Sequence, residues 1–156
     1  MKYMTKIEKR KSIREFRKKD LEEDKLGKIM ESFSHLHRLV PHIDVELVIR
    51  TGDTKIRLEG VAGYRGKSFM APAYLIFLSD VGDHYVENAG YMVEDLCLTL
   101  TEMGIGHCWL TVGDSEAVKK AAMIESDKEV LAVIACGYGV EEKKKKRLDK
   151  IGRAHV

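Results

Sequence analysis

Between Asp83 and Met103 the apolar residues Val86, Ala89, Val93, Leu96, Leu100 and Met103 recur three or four positions apart. That spacing puts them on one stripe of an α-helix, and it is the clearest single element in the chain. Ala89, Gly90 and Cys97 add small residues beside the stripe, so another element can pack close. Gly104 follows directly, where a glycine commonly ends a helix.

The segments around this helix are shorter. Ala73–Ser79 (AYLIFLS) and Val130–Cys136 (VLAVIAC) are continuous apolar runs of strand length. Val45–Arg50 alternates with β-branched residues and reads as a further strand, closed by a turn at Gly52-Asp53. Gly106–Leu110 reads as a short strand. Tyr3–Lys11 is a short helix candidate. Leu21–Leu39 is a longer one, with Leu26, Ile29, Met30, Phe33, Leu36 and Leu39 on one face and Asp20 or Glu22 able to cap its start. Asp114–Met123 is a helix with Asp114 or Ser115 as N-cap. Gly137-Tyr138-Gly139 ends the last strand. Strands and helices alternate only partly. The expected fold class is therefore α+β, a layered domain whose mostly antiparallel central sheet is flanked by helices, and not a doubly wound sheet.

The 156 residues suit one domain. No run of about 18 apolar residues is present, which argues against a membrane partner. Residues 1–20 are charged throughout and lack the apolar core of a secretory signal. Cys97, Cys108 and Cys136 lie in apolar runs without C-x-x-C spacing, so they are expected as buried, reduced thiols of a cytoplasmic protein.

Several familiar motifs fail on inspection. Gly66-Lys67-Ser68 resembles the end of a phosphate-binding loop, but the required earlier glycine position is Val61, and Pro72 with a strand follows in place of a helix. Gly104-Ile105-Gly106 begins a dinucleotide fingerprint, but position 109 is Trp and the glycines end a helix instead of opening one. His35 and His37 are two apart and share no helical face, and no H-E-x-x-H includes His42, so no metal site is expected. There is no G-x-S-x-G. His107 and Cys108 are neighbours whose side chains point to opposite faces of a strand, which removes them as a base and its nucleophile.

Charge is the remaining signal. The chain carries a formal +2, yet residues 1–20 sum to +6 and residues 141–156 to +4, leaving −8 for the middle. Basic ends around an acidic centre suit either an anionic partner near the termini or two solvated tails. Within the first end, Arg10-Lys11-Ser12-Ile13-Arg14-Glu15-Phe16 packs three cations and a hydroxyl into a loop-like segment. Arginine forks, a serine hydroxyl and loop N–H groups are suited to a phosphate.

At this point the chain resembles the nitroreductase family of flavin-dependent oxidoreductases. The family pattern R-x-S-x-R-x-F is matched at Arg10, Ser12, Arg14 and Phe16. Its helix running into G-[LI]-G-x-x-W is matched from Glu87-Asn88-Ala89-Gly90-Tyr91 to Gly104-Ile105-Gly106-His107-Cys108-Trp109-Leu110. A turn at Gly113, a short helix, an apolar strand ending in Gly-Tyr-Gly and a late K-x-R at Lys145 and Arg147 follow in the family order. The segment Ser34–Pro41 departs from the family, because it lacks the Asn and Gln with which many members bind the flavin pyrimidine.

The resemblance implies an FMN-dependent oxidoreductase using NAD(P)H and an electron-poor acceptor such as a nitroaromatic or quinone. It implies that Arg10, Ser12, Lys145 and Arg147 hold the FMN phosphate, with Lys11 on the phosphate or ribityl chain and Arg14 by the pyrimidine edge. Backbone groups of Leu110, Thr111 and Gly113 would face the ring. No catalytic side chain is implied, because the flavin carries the chemistry. Trp109 reads as a core or cofactor-wall aromatic, and the long helix stripe as core or dimer interface. The expected assembly is a homodimer, or a chain whose second half is missing. Ile151–Val156 reads like a translated sequencing-library adapter, so a domain of 1–150 and a non-native tail of 151–156 are expected. Two other readings stand beside the leading one. The first is a flavin-binding relative without robust turnover. The second is a small nucleic-acid-binding domain using its basic ends, against which no base-stacking motif is present and only 7% of residues are aromatic.

Overall fold

The computed structural model describes residues 15–52, 58, 62–63 and 71–140. Their elements in chain order are α1 (Glu23–Ser34), β1 (Val45–Thr51), β2 (Ala62–Gly63), β3 (Ala73–Ser79), α2 (Tyr85–Glu102), β4 (Gly106–Val112), α3 (Ser115–Ala121) and β5 (Glu129–Gly137). The sheet runs β1-β3-β5-β4-β2, and every pairing is antiparallel. The expected α+β class with a mostly antiparallel sheet is what the chain adopts. The proposed helix at Tyr3–Lys11 lies outside the described residues.

Strand β3 is buried along its whole length, as its continuous apolar run requires. Ala73, Leu75 and Phe77 face α1 and α2, together with Ala132, Ile134 and Cys136 of β5. Tyr74, Ile76 and Leu78 face the other way, with Val130, Val133 and Ala135 of β5, Cys108 and Leu110 of β4, and Val118 of α3. A register shift between Phe77 and Leu78 lets β5 keep its apolar residues on both faces across an irregular step. The three cysteines form no disulfide and are buried. Burial pushes the Cys136 thiol up to about 12, with nearby Cys97 a smaller cause, so no nucleophilic thiolate arises there.

The helix ends explain where the sequence-based boundaries move. Helix α2 closes with two bonds, Gly104 N–H to the Thr101 carbonyl at 3.1 Å and Ile105 N–H to the Leu100 carbonyl at 2.9 Å. Gly104 sits at φ +75° between them, which is a Schellman closure with glycine at its left-handed position. Helix α1 stops at Ser34, five residues short of its expected end. The Ser34 hydroxyl turns back on the Glu31 carbonyl at 2.6 Å, and Leu36 N–H bonds Phe33 in a tighter turn at 3.2 Å. Leu36 still packs against the core from the loop beyond, so the apolar spacing continues past the helix, whereas Leu39, the last residue of that spacing, is exposed. Glu22 occupies the N-cap position without capping, because its carboxylate is engaged elsewhere. Asp114 does cap α3, accepting from Ala117 N–H at 3.2 Å.

Candidate cofactor site

The first described residues pair with the last. Phe16 and Gly139 form an antiparallel bridge. Arg17 N–H donates to the Tyr138 carbonyl at 2.7 Å, and Val140 N–H donates to the Glu15 carbonyl at 3.2 Å. The basic runs at 10–14 and 141–147 therefore leave the described structure from adjacent points, Glu15 and Val140. Arg10 and Lys145 each stand five positions from these points, and five residues reach at most roughly 18 Å.

Tyr138 sits at the centre of this junction. Its hydroxyl donates to the Glu22 carboxylate. The ammonium groups of Lys19 and Lys25 each lie 4.8 Å from its ring centroid, within the range of a cation–π contact. Lys19 also lies 3.5 Å from the Glu22 carboxylate. The Tyr138 hydroxyl, more than any other group, pulls the Glu22 carboxyl down to about 2; the Glu22 backbone N–H and Lys19 add to this. The neighbouring Gly137 has no room for a side chain, since a Cβ there would stand 2.5 Å from Pro72 Cδ and 3.2 Å from the Phe16 ring.

An open cleft of about 270 Å³ borders the junction, lined by Phe16, Ala71 and Pro72 and by the charged run Arg17–Asp20. Arg17 and Lys18 are exposed and make no ion pair with another described residue. On the same side, the Tyr74 hydroxyl accepts from Ala71 N–H at 3.3 Å and fixes the chain as it enters β3. Burial raises this hydroxyl to about 12, so it stays protonated.

The second part of the expected site lies at the end of β4. Leu110 is buried in the core on the α3 side, and Thr111 and Gly113 are exposed. The ladder with β5 ends at Leu110↔Val133, while Thr111 and Val112 pair only with β2. Among the described residues, the β5-facing backbone edge of Thr111–Gly113 has no strand partner. Trp109 points to the opposite face from Leu110 and is 38% exposed, so it is not a core residue. Asn88, within the helix signature, is fully buried, and its Oδ1 accepts from Val40 N–H at 2.9 Å, tying the loop after α1 to α2.

Arg10, Lys11, Ser12, Arg14, Lys145 and Arg147 lie outside the described residues. What the structure brings together is the pair of points from which their segments depart. The sequence reading missed Tyr138 and Glu22, treating the first as a strand ending and the second as a cap. Among the described residues no group of three His, Cys, Asp or Glu side chains could hold a metal ion, and no helix is long and apolar enough to cross a membrane.

Comparison with known proteins gives the same outline. A family model described as "Putative TM nitroreductase" matches residues 2–155. A nitroreductase family protein from Clostridium novyi NT superposes with a TM-score of 0.78 at 21% identity, over 92% of this chain and 88% of that one. An FMN-dependent nitroreductase from Clostridium difficile R20291 gives a TM-score of 0.77 at 22% identity, over 88% of each chain. A "Putative NADH Oxidase" from Clostridium acetobutylicum gives 0.74 at 19% identity, over 86% of this chain and 87% of that one. No curated protein sequence matches the chain.

Proposed function

The chain belongs to the nitroreductase family, and on that premise we propose that it is an FMN-dependent oxidoreductase taking hydride from NAD(P)H and reducing an electron-poor acceptor such as a nitroaromatic or quinone. The observation that carries this reading is the pairing of Phe16 and Arg17 with Tyr138 and Gly139. It starts two basic segments, far apart in sequence, from one place. One dianionic phosphate is a ligand that such a convergence suits, because Arg and Lys side chains from both segments can make charge-assisted hydrogen bonds to it. Similar proteins are described as an FMN-dependent nitroreductase and an NADH oxidase, which agrees with the same cofactor and reductant here.

The donor set fits FMN. Arg10, Ser12, Lys145 and Arg147 would hold the phosphate, with Lys11 at the phosphate or ribityl chain. Arg14 would stand at the pyrimidine edge, where a fixed positive charge favours an anionic ring. Just beyond the last paired residue, Leu110, the open backbone edge of Thr111 and Gly113 offers N–H and C=O groups to a planar polar ring. When bound, FMN supplies the two-electron chemistry. The protein would bind and orient it and exclude water, a chemistry that calls for no side-chain nucleophile. The cleft beside Arg17 and Lys18 presents a positive field to an incoming anionic dinucleotide. We assign the working form as a homodimer: Tyr91 on α2 and Trp109 on β4 are exposed apolar groups that a second copy would cover. Buried cysteines that form no disulfide suit a reducing, cytoplasmic setting.

The visible absorption spectrum of the purified protein, before and after added FMN, tests the reading. A blue flavin band that bleaches with NADH or NADPH and returns on adding a quinone is the expected result. A folded protein that retains no flavin after incubation with excess FMN would overturn it.

A further inference from the structure

Resting on the FMN reading above, we infer that Ser115 is a positioning residue for the flavin ring: its bond to Val130 holds the backbone of Thr111–Gly113 as an arch off β5, with the polar groups of that edge turned to the ring. The Ser115 hydroxyl accepts from Val130 N–H at 2.8 Å. The bond ties the first residue of α3 to the start of β5.

The register shows why an arch forms. The β4–β5 ladder runs from Gly106↔Gly137 to Leu110↔Val133 and stops there. Continued in the same register, it would set Gly113 opposite Val130. Ser115 stands at Val130 instead. The five steps of chain from Leu110 to Ser115 therefore cover the ground of three on β5, from Val133 to Val130. At about 3.3 Å per extended residue, the surplus has to leave the line of the strand. At the same place β5 has its own register step against β3, where Phe77 pairs with Ala132 and Leu78 with Val130. The far edge of the arch is held as well, since Thr111 and Val112 pair with Gly63 and Ala62 of β2.

The body of α3 is fixed without Ser115. Val118 is fully buried. Lys119 is 7% exposed, and its ammonium donates to the carbonyls of Ser126 and Lys128 at 3.0 and 2.9 Å and lies 2.7 Å from the Glu116 carboxylate. Asp114 caps the helix through its own bond to Ala117. Removing the Ser115 hydroxyl therefore spares the helix and releases the point where the arch lands. The Val130 N–H loses its acceptor. The edge offered to a planar ring is then no longer preorganised, and a ligand has to order it on binding.

The test compares wild type, Ser115→Ala and Ser115→Thr. Each apo-protein is titrated with FMN, and the position of the blue band of the bound flavin is recorded. Amide exchange at Val130 and the backbone order parameter of Gly113 are measured by NMR on the same samples without flavin. Ser115→Ala is expected to weaken FMN about three- to tenfold and to shift the band of the flavin that still binds. Exchange at Val130 should quicken and the order parameter of Gly113 should fall. Ser115→Thr keeps a hydroxyl and should restore all four readings. A Ser115→Ala protein whose Gly113 loosens while FMN affinity and band stay at their wild-type values would overturn the positioning role. Weaker FMN binding with an unmoved band would overturn it too, because the loss would then lie away from the ring. An unchanged order parameter at Gly113 would show that the hydroxyl does not hold the arch. A folded wild type that takes no FMN overturns the cofactor reading and the ring role with it, while the order parameter still decides whether Ser115 holds the arch.

Discussion

Gly137 and Pro72 meet so closely that a Cβ on Gly137 would lie 2.5 Å from Pro72 Cδ and 2.7 Å from Cγ. Gly137 pairs across the sheet with a second glycine, Gly106, and immediately precedes Tyr138. The constraint is steric: Pro72 is a rigid ring at the entrance to β3 and cannot swing aside as a long side chain would. Close packing of β5 on Pro72 thus fixes where Tyr138, Gly139 and the N-terminal segment stand.

Gly137→Ala is accordingly expected to destabilise the fold by about 1–3 kcal/mol, the usual cost of adding a group to a filled site. For a chain of this size that lowers Tm by roughly 2–4 °C per kcal/mol. Thermal unfolding followed by circular dichroism checks it. A variant with wild-type Tm would show that Pro72 and Phe16 yield at no cost.

Asn88 is fully buried in α2, and its side-chain oxygen accepts from Val40 N–H. Asn88→Leu keeps the bulk and removes the acceptor. The Val40 N–H then loses its partner in a partly enclosed loop, at a cost of about 1–3 kcal/mol. Urea unfolding should show a lower midpoint with an unchanged slope. Because the bond ties the 36–41 loop to α2, amide exchange in that loop should rise before global unfolding, and a uniform rise across the chain would contradict the assigned role.

The parts of the fold that were legible in the sequence are those in which one residue type answers one local demand. The α2 stripe and Gly104 gave both the helix and its stop, because a left-handed closing residue is normally glycine. The α1 estimate overran, because apolar spacing does not report helical hydrogen bonding: Leu36 packs against the core from the loop after the helix ends, and Leu39 fits the spacing but is exposed. Strand β2 is two residues long and has no periodicity to read. β4 runs to Val112 instead of Leu110 because β2 pairs with its last two residues. At the site, the local R-x-S-x-R-x-F pattern was readable. The Tyr138–Glu22 bond joins residues 116 positions apart, and neither type is unusual at a strand end or a helix start. Only the folded sheet brings them together.

Helix α3 shows the same closure as α2 with the wrong residue in it. Met123 N–H bonds the Lys120 carbonyl at 3.2 Å and Ile124 N–H bonds Lys119 at 2.8 Å, with Met123 at φ +56° and largely exposed. A side chain there carries roughly 1–2 kcal/mol of left-handed strain. Met123→Gly relieves it, while the freer unfolded chain offsets about 0.4–1 kcal/mol. The net expectation is a stabilisation of about 0.5–1 kcal/mol, read as a higher urea midpoint. Met123→Ala retains the Cβ and should change little, so equal gains in both variants would point away from backbone strain.

The Glu22 carboxyl offers a direct reading of the Tyr138 junction in solution. Its pKa in the folded protein lies near 2, below the ordinary 4.5, chiefly because the Tyr138 hydroxyl donates to the ionised form. A depressed folded value means that the charged carboxylate favours the folded junction above pH 4.5, and that this contribution fades as pH falls toward 2. Carbon NMR of the Glu22 carboxyl should therefore show a midpoint near 2 in wild type, with Arg17 and Val140 amides losing protection over the same range. In Tyr138→Phe the midpoint should climb back toward 4.5, since the leading cause is gone and only the backbone N–H and Lys19 remain to hold it down. A midpoint that stays put in Tyr138→Phe would assign the depression to Lys19 and the backbone, and would leave the Tyr138 hydroxyl out of the junction.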